Sequence, residues 1–164
     1  MRNKNLSYLT QSAMIAAIYV VLTAVFAPIS FGEIQIRIAE MLTILPVFTP
    51  AAIPGLFVGC LIGNILGGAV LPDIICGSLA TLIGAAGTYA LRKNFRVLAA
   101  LPPILANTLI VPFVLRYAYG VTLPIPLLMV TVGVGEIISC AVLGTVLAAI
   151  LKKYSSRIFI TQNI

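Results

Sequence analysis

Six apolar runs lie along the chain, over residues 7–28, 38–50, 51–69, 72–91, 97–118 and 125–151, divided by short polar stretches. A helix needs about 20 residues to cross a bilayer, so the first, fourth, fifth and sixth runs are long enough. The second and third are punctuated by Pro46, Pro50 and Pro54. Proline breaks or kinks a helix, so the pattern predicts a short, kinked second helix and a turn near Pro50. The expected fold is all-α: a polytopic membrane protein with six transmembrane helices in a single domain over residues 1–164. Arg2 and Lys4 ahead of an apolar stretch could suggest a signal peptide. Pro28 after the best cleavage candidate, Ala27, argues against cleavage, and residues 7–28 read as the first helix.

The charges fix an orientation. Basic residues gather at Arg2 and Lys4, at Arg92, Lys93 and Arg96, and at Lys152, Lys153 and Arg157. Positive residues accumulate on the cytoplasmic side, so all three clusters can lie inside only if an even number of crossings separates each pair. This requires residues 38–69 to form a hairpin of two helices. Both termini are then cytoplasmic, in the plasma membrane of a prokaryote. Arg37, Arg116 and all four acids, Glu33, Glu40, Asp73 and Glu136, fall in the outer half.

Composition narrows the class further. The chain is 61% hydrophobic and 9% charged, against about 25% charged in a soluble domain. This excludes a soluble enzyme, a secreted disulfide scaffold, a disordered chain and a nucleic-acid module. The net charge of +6 comes from residues that punctuate apolar runs, as topology signals do, and not from a solvated basic face. Cys60, Cys76 and Cys140 sit inside apolar runs, with no histidine and no CxxC. They read as small buried apolar residues, and no metal or cofactor is expected.

A charge within a span costs about 3 kcal/mol on insertion scales and marks function by default. Glu136, in VGVGEIIS, lies roughly 16 Å into the last span, beside Gly133 and Gly135. A pair with Arg116 is its structural alternative. Asn64 and Asn107 serve equally as ligand contacts or as interhelical glue. Asp73 follows Pro72 at a helix start and suits a cap or dipole partner; Glu40 lies three residues after Arg37 and suits a local ion pair. Taken together, Arg37, Glu40, Asn64, Asp73, Asn107, Arg116 and Glu136 are candidate substrate-binding residues of an outward-open polar cavity.

Glycines at 55, 59, 63 and 67 make one smooth stripe along the third run, the spacing used for close helix contact. Ala13 and Ala17 make a milder stripe on the first. No GxxxxGK[ST], HExxH or GxSxG occurs, and Ser78 and Ser139 have no histidine to activate them. The chain is therefore not expected to be an enzyme. A cavity without an energy source suggests a binding subunit powered by other proteins.

The stretch FGEIQIRIAEMLTILPVFTPAAIPGLFVGCLIGNILGG (31–68), with LPDIICGSLATLIGA (71–85), the Asn107 segment and Gly135–Glu136, resembles the QueT family. These are substrate-binding S components of energy-coupling factor (ECF) importers for queuosine precursors. The resemblance implies six helices with cytoplasmic termini. It implies a 7-deazaguanine ligand: preQ0, preQ1, queuine or queuosine. It also implies docking to a transmembrane T component and two cytoplasmic ABC ATPases, through an AxxxA that falls here on Ala13 and Ala17, and delivery by toppling of the loaded subunit in the membrane.

The ligand chemistry suits the residues. A guanine-like edge offers N1–H and an amino group that one carboxylate can accept together, and its carbonyl takes an amide donor. An aminomethyl group would be cationic and would call for a second carboxylate. Phe31, Phe113, Tyr117 and Tyr119 could stack on a flat base or anchor at the interface. The loop over 29–37, with Gly32, Glu33 and Gln35, could fold over a ligand or serve as a passive connector. Two other readings remain at this stage: a stand-alone secondary transporter with Glu136 as its proton or cation site, and a membrane scaffold whose polar residues are only glue.

Overall fold

The computed structural model describes residues 4–30, 36–93 and 98–158. All the regular elements among these are helical. The first run forms α1 (Lys4–Val25) and a short turn of helix, α2 (Ala27–Ser30). The second forms a ten-residue 3₁₀ helix, Ile38–Val47, and the third α3 (Ala52–Leu66). The fourth is α4 (Leu71–Leu91). A 3₁₀ turn, Leu98–Ala100, leads into α5 (Leu101–Tyr117). The last run is one continuous rod of three parts: α6 (Ile125–Glu136), a π segment Ile137–Leu143, and α7 (Gly144–Ile158).

Four helices are long and apolar enough to cross a membrane: Asn5–Val25, Leu71–Leu91, Leu98–Tyr117 and Ile125–Lys153. The helices formed by the second and third runs, of ten and fifteen residues, fall short of the roughly 20 residues a span needs. The 3₁₀ helix stops at Val47, just past Pro46, whose ring removes a backbone donor. Its ten residues rise only about 20 Å, and α3 rises only about 22 Å.

Side-chain register gives the direction of each pass. Gly55 faces Ser12 and Ile15, Gly59 faces Ala16 and Tyr19, and Gly63 faces Thr23, so α3 runs parallel to α1. The Tyr19–Glu40 and Gln11–Thr49 hydrogen bonds make the 3₁₀ helix antiparallel to α1. Asn64 meets Asp73 and Cys60 meets Thr81, so α4 runs against α3. Gly84 packs on Pro103 and Thr88 bonds Ala99 O, so α5 runs against α4. Cys140 reaches Glu40 O, and Gly144 lies against Met41 and Ile44, so the last rod runs parallel to the 3₁₀ helix. The start of α1, the end of α4 and the end of α7 therefore share one end of the bundle. Lys93 and Lys152 lie at that basic end.

The glycine stripe of α3 is what brings α1 close. A Cβ at Gly59 would lie 2.8 Å from Tyr19 Cβ and 3.0 Å from Ala16 O, and neither atom can swing aside. Gly59→Ala should therefore push α1 off α3 and cost about 1–3 kcal/mol. Thermal unfolding in detergent checks this; a variant as stable as the parent would show that the contact yields freely. At the other end of α3, Gly68 adopts φ +73°. Its N–H bonds Ile65 O at 3.2 Å and the next N–H bonds Asn64 O at 2.9 Å, the paired closure that ends a helix and needs a left-handed residue. This turn delivers the chain to Asp73.

Candidate functional site

The two segments with non-α geometry carry the two central glutamates. In a 3₁₀ helix residues three apart eclipse, so Glu40 and Thr43 share an edge, where Thr43 Oγ1 donates to Glu40 O at 2.6 Å. The π segment begins straight after Glu136 and presents Cys140 to the same edge. The Cys140 thiol lies 3.3 Å from Glu136 Oε2 and 3.5 Å from both Glu40 O and Thr43 Oγ1. Irregular helix turns of this kind recur at functional sites because they re-aim side chains.

Glu40 is wholly buried. Its Oε1 accepts from Tyr19 OH at 2.5 Å and from Thr81 Oγ1 at 2.9 Å. Thr81 also lies 3.4 Å from Cys60 Sγ, and Asn64 Nδ2 lies 3.6 Å from the same sulfur. Glu136 is 2% exposed, and Asn107 on α5 flanks its carboxylate. Toward the end opposite the termini, Arg37 forms an ion pair with Asp73 at 3.2 Å. Tyr119 OH donates to Asp73 Oδ2 at 2.9 Å and accepts from Val70 N at 3.4 Å. Burial first, then the Asp73 charge and hydrogen bond, push the Tyr119 phenol above its ordinary value, so it stays a donor. Gly77 closes one wall: a Cβ there would lie 3.2 Å from Asn64 Nδ2 and from Asp73 Oδ1.

The packing leaves several buried polar atoms without a protein partner: Glu40 Oε2, both amide atoms of Asn107, Thr108 Oγ1 and Ser139 Oγ. Each such atom costs about 1–3 kcal/mol if nothing answers it. They sit on the 3₁₀ helix, α5 and the π segment, the elements that flank the two glutamates. Glu40, Glu136 and Cys140 each offer a ligand atom, and these lie within 4.8 Å of one another, close enough to share one cation. The cluster is thus equipped for recognition through hydrogen bonds and charge. It has no histidine to activate a nucleophile.

Of the residues expected from sequence, Arg37, Glu40, Asn64, Asp73, Asn107 and Glu136 are all buried in this region. Arg116 is exposed and donates to Val121 O at 2.9 Å, closing the turn after α5. It does not meet Glu136. Arg37 pairs with Asp73 and not with Glu40, and Asp73 turns to Arg37 and Tyr119 in place of capping α4. Phe113 and Tyr117 are exposed, so of the described aromatics expected at the site Tyr119 reaches the cluster, where Tyr19, not expected, also does. Gly32, Glu33, Gln35 and Phe31 lie outside the described residues. Ala13 and Ala17 are exposed, while Ser12, Ile15, Ala16 and Tyr19 form the buried face of α1.

Tyr19, Thr43, Cys60, Gly77, Thr81 and Cys140 were not singled out as site residues by sequence. Cys60 and Cys140 are buried as expected and Cys76 is half-buried; Cys60 packs in the apolar cluster with Leu56 and Ala85 while its sulfur also meets Thr81 and Asn64, and Cys140 sits among polar groups. The signal available was a tyrosine and threonines deep inside apolar runs, since a polar group within a span must find a partner.

A family model described as QueT transporter matches residues 9–153. The Queuosine precursor transporter QueT of Lactococcus lactis subsp. cremoris (strain MG1363) is 40% identical over 73 residues, covering 43% of this chain and 43% of that protein. The matched stretch thus spans less than half the length of that relative. No solved structure matches the chain.

Proposed function

The chain belongs to the QueT transporter family, and from that premise we propose that it is the substrate-capture S component of an ECF importer for a queuosine precursor or salvage product. Membership supports transport over catalysis. The ligand class is a 7-deazaguanine: preQ0, preQ1, queuine or queuosine. The observation that carries this reading is the pair of buried carboxylates beside amide and hydroxyl atoms that lack protein partners. A heterocycle rich in donors and acceptors answers such atoms. In this reading the end bearing Lys93 and Lys152 faces the cytoplasm, and the Arg37–Asp73–Tyr119 group lies on the outer side. Energy comes from a T component and two ABC ATPases, and the loaded subunit topples to release its ligand inward.

Isothermal calorimetry of the purified protein against preQ0, preQ1, queuine, queuosine and common vitamins tests the ligand class; saturable binding of a vitamin alone would sink it. Glu136→Gln keeps the shape of the side chain but exchanges an acceptor for a donor and removes the charge. Its affinity should fall about 10- to 150-fold, from the roughly 1.5–3 kcal/mol of a charge-assisted hydrogen bond. An unchanged dissociation constant would remove Glu136 from the site.

The closeness of Glu40, Glu136 and Cys140 also suits a second reading, a stand-alone secondary transporter with Glu136 as its proton or cation site. Uptake by cells that lack the T component and ATPases would select it; uptake only when they are supplied would reject it.

A further inference from the structure

The buried charges do not balance. Among the described residues the buried cation is Arg37, and it pairs with Asp73. Glu40 and Glu136 remain, with ligand atoms close together. Two carboxylates this near in a dry interior are not both ionised unless a positive charge joins them. The groups packed around them, Tyr19 from α1, Cys60 and Asn64 from α3, Thr81 from α4, Asn107 from α5 and Cys140 from the π segment, carry no positive charge. The charge of Arg37 reaches both carboxylates, but one guanidinium stands against three carboxylates and is in contact with Asp73.

The two carboxylates also differ in what they can accept. Glu40 Oε1 is filled by Tyr19 and Thr81, which hold the carboxylate in one orientation. Oε2 is buried and has no protein partner. Glu40 therefore presents a single acceptor atom. The N1–H and amino edge of a guanine-like ring needs two acceptor atoms side by side. An ammonium is a compact point charge with three donors; a single carboxylate oxygen can take one of them, and the unpartnered oxygens of Asn107 and Ser139 on the flanking elements are acceptors for others. Glu136 is engaged by the Cys140 thiol, a weak donor, and flanked by the Asn107 amide, so its carboxylate has no strong donor to give up for a ring edge.

We propose that Glu40 receives a positively charged substituent of the ligand, so that the site selects a cationic 7-deazaguanine over a neutral one with the same ring. This inference rests on the reading of the cluster as a queuosine-precursor site and adds the charge of the ligand to it.

The test compares preQ1, which carries an aminomethyl group, with preQ0, which carries a nitrile, by calorimetry on the intact purified protein. The amine should bind about 10- to 150-fold more tightly. Equal affinities, or tighter binding of the nitrile, would overturn the inference and leave the ligand class standing. Binding of neither would overturn the inference, and the ligand class falls with it only if queuine and queuosine fail to bind as well. In Glu40→Gln the difference between the two ligands should close, whatever the absolute affinities, and retention of the full preference would overturn the assignment to Glu40. Should that variant fail to fold, the comparison on the parent protein decides alone. Loss of amine binding after EDTA treatment would also overturn the inference, by giving the positive charge to a metal ion held at Glu40, Glu136 and Cys140.

Discussion

Asp73→Asn should lower the stability of the bundle by about 3–5 kcal/mol, the cost of removing one partner from a buried ion pair. The side chains of Arg37 and Asp73 are 6% and 1% exposed. The guanidinium would then keep its charge in a dry interior opposite a neutral amide. The same carboxylate accepts the Tyr119 phenol, so the variant also loosens the segment after α5 from the start of α4. The fall in melting temperature should be on the order of 10 °C for a chain of this size, read by thermal unfolding in detergent. Combining it with Arg37→Met should recover part of the loss, because the uncompensated charge goes with the arginine. A single variant that melts with the parent would show that the pair contributes nothing net, and a double variant no better than the single would place the cost elsewhere.

Ala13→Trp and Ala17→Trp should abolish transport while leaving ligand binding intact. Both alanines lie on the outward face of α1, beside exposed Met14 and Ile18. The face that holds the bundle together is the opposite one, where Ser12, Ile15, Ala16, Tyr19 and Thr23 meet the α3 glycines. Indole at Ala13 or Ala17 therefore disturbs no internal contact. It does block the close approach of another helix, which is how membrane helices associate at small residues. Two readings of one preparation check this: calorimetry for the ligand and copurification with the T component. A variant that binds, copurifies and transports like the parent would free this face of any docking role. Loss of ligand binding would show that α1 is coupled to the site through its outer surface.

The division of the chain into helices was legible because lipid demands long apolar runs, and the basic clusters already implied an even number of passes between them. Side-chain register puts the start of α1 and the ends of α4 and α7 at one end, with Lys93 and Lys152. The non-α geometry was not legible. Pro46 signalled an irregular second helix, but nothing in its residues distinguishes ten residues of 3₁₀ helix from a kinked α-helix. The π segment carries no proline and no glycine to mark it. The pairing of charges was misread for a related reason. Arg37 lies nearest Glu40 along the chain, and local spacing favoured that pair. The fold instead brings it to Asp73, 36 residues away, because α3 returns the chain to the same end at the Gly68 turn. The buried candidates were found by their cost in a membrane. Tyr19 and Thr81 were not, since neutral polar residues are common in spans and reveal their role only through the carboxylate they orient.

The shortness of α3 has a consequence for the lipid around it. Its outward side chains, Val58, Ile62, Ile65 and Leu66, are exposed, and in the proposed six-span reading acyl chains would meet a rod of about 22 Å where the hydrocarbon layer is about 30 Å thick. The neighbouring α1 has 22 residues and matches the full thickness. The bilayer is therefore pinched along one flank, with an elastic cost of fractions of a kcal/mol per ångström of mismatch. A second membrane protein seated there, or a tilt of the whole subunit toward that flank, relieves the pinch. Reconstitution into vesicles of increasing acyl length should accordingly increase the tilt of the subunit, and a tilt indifferent to bilayer thickness would show that the membrane does not feel the short helix.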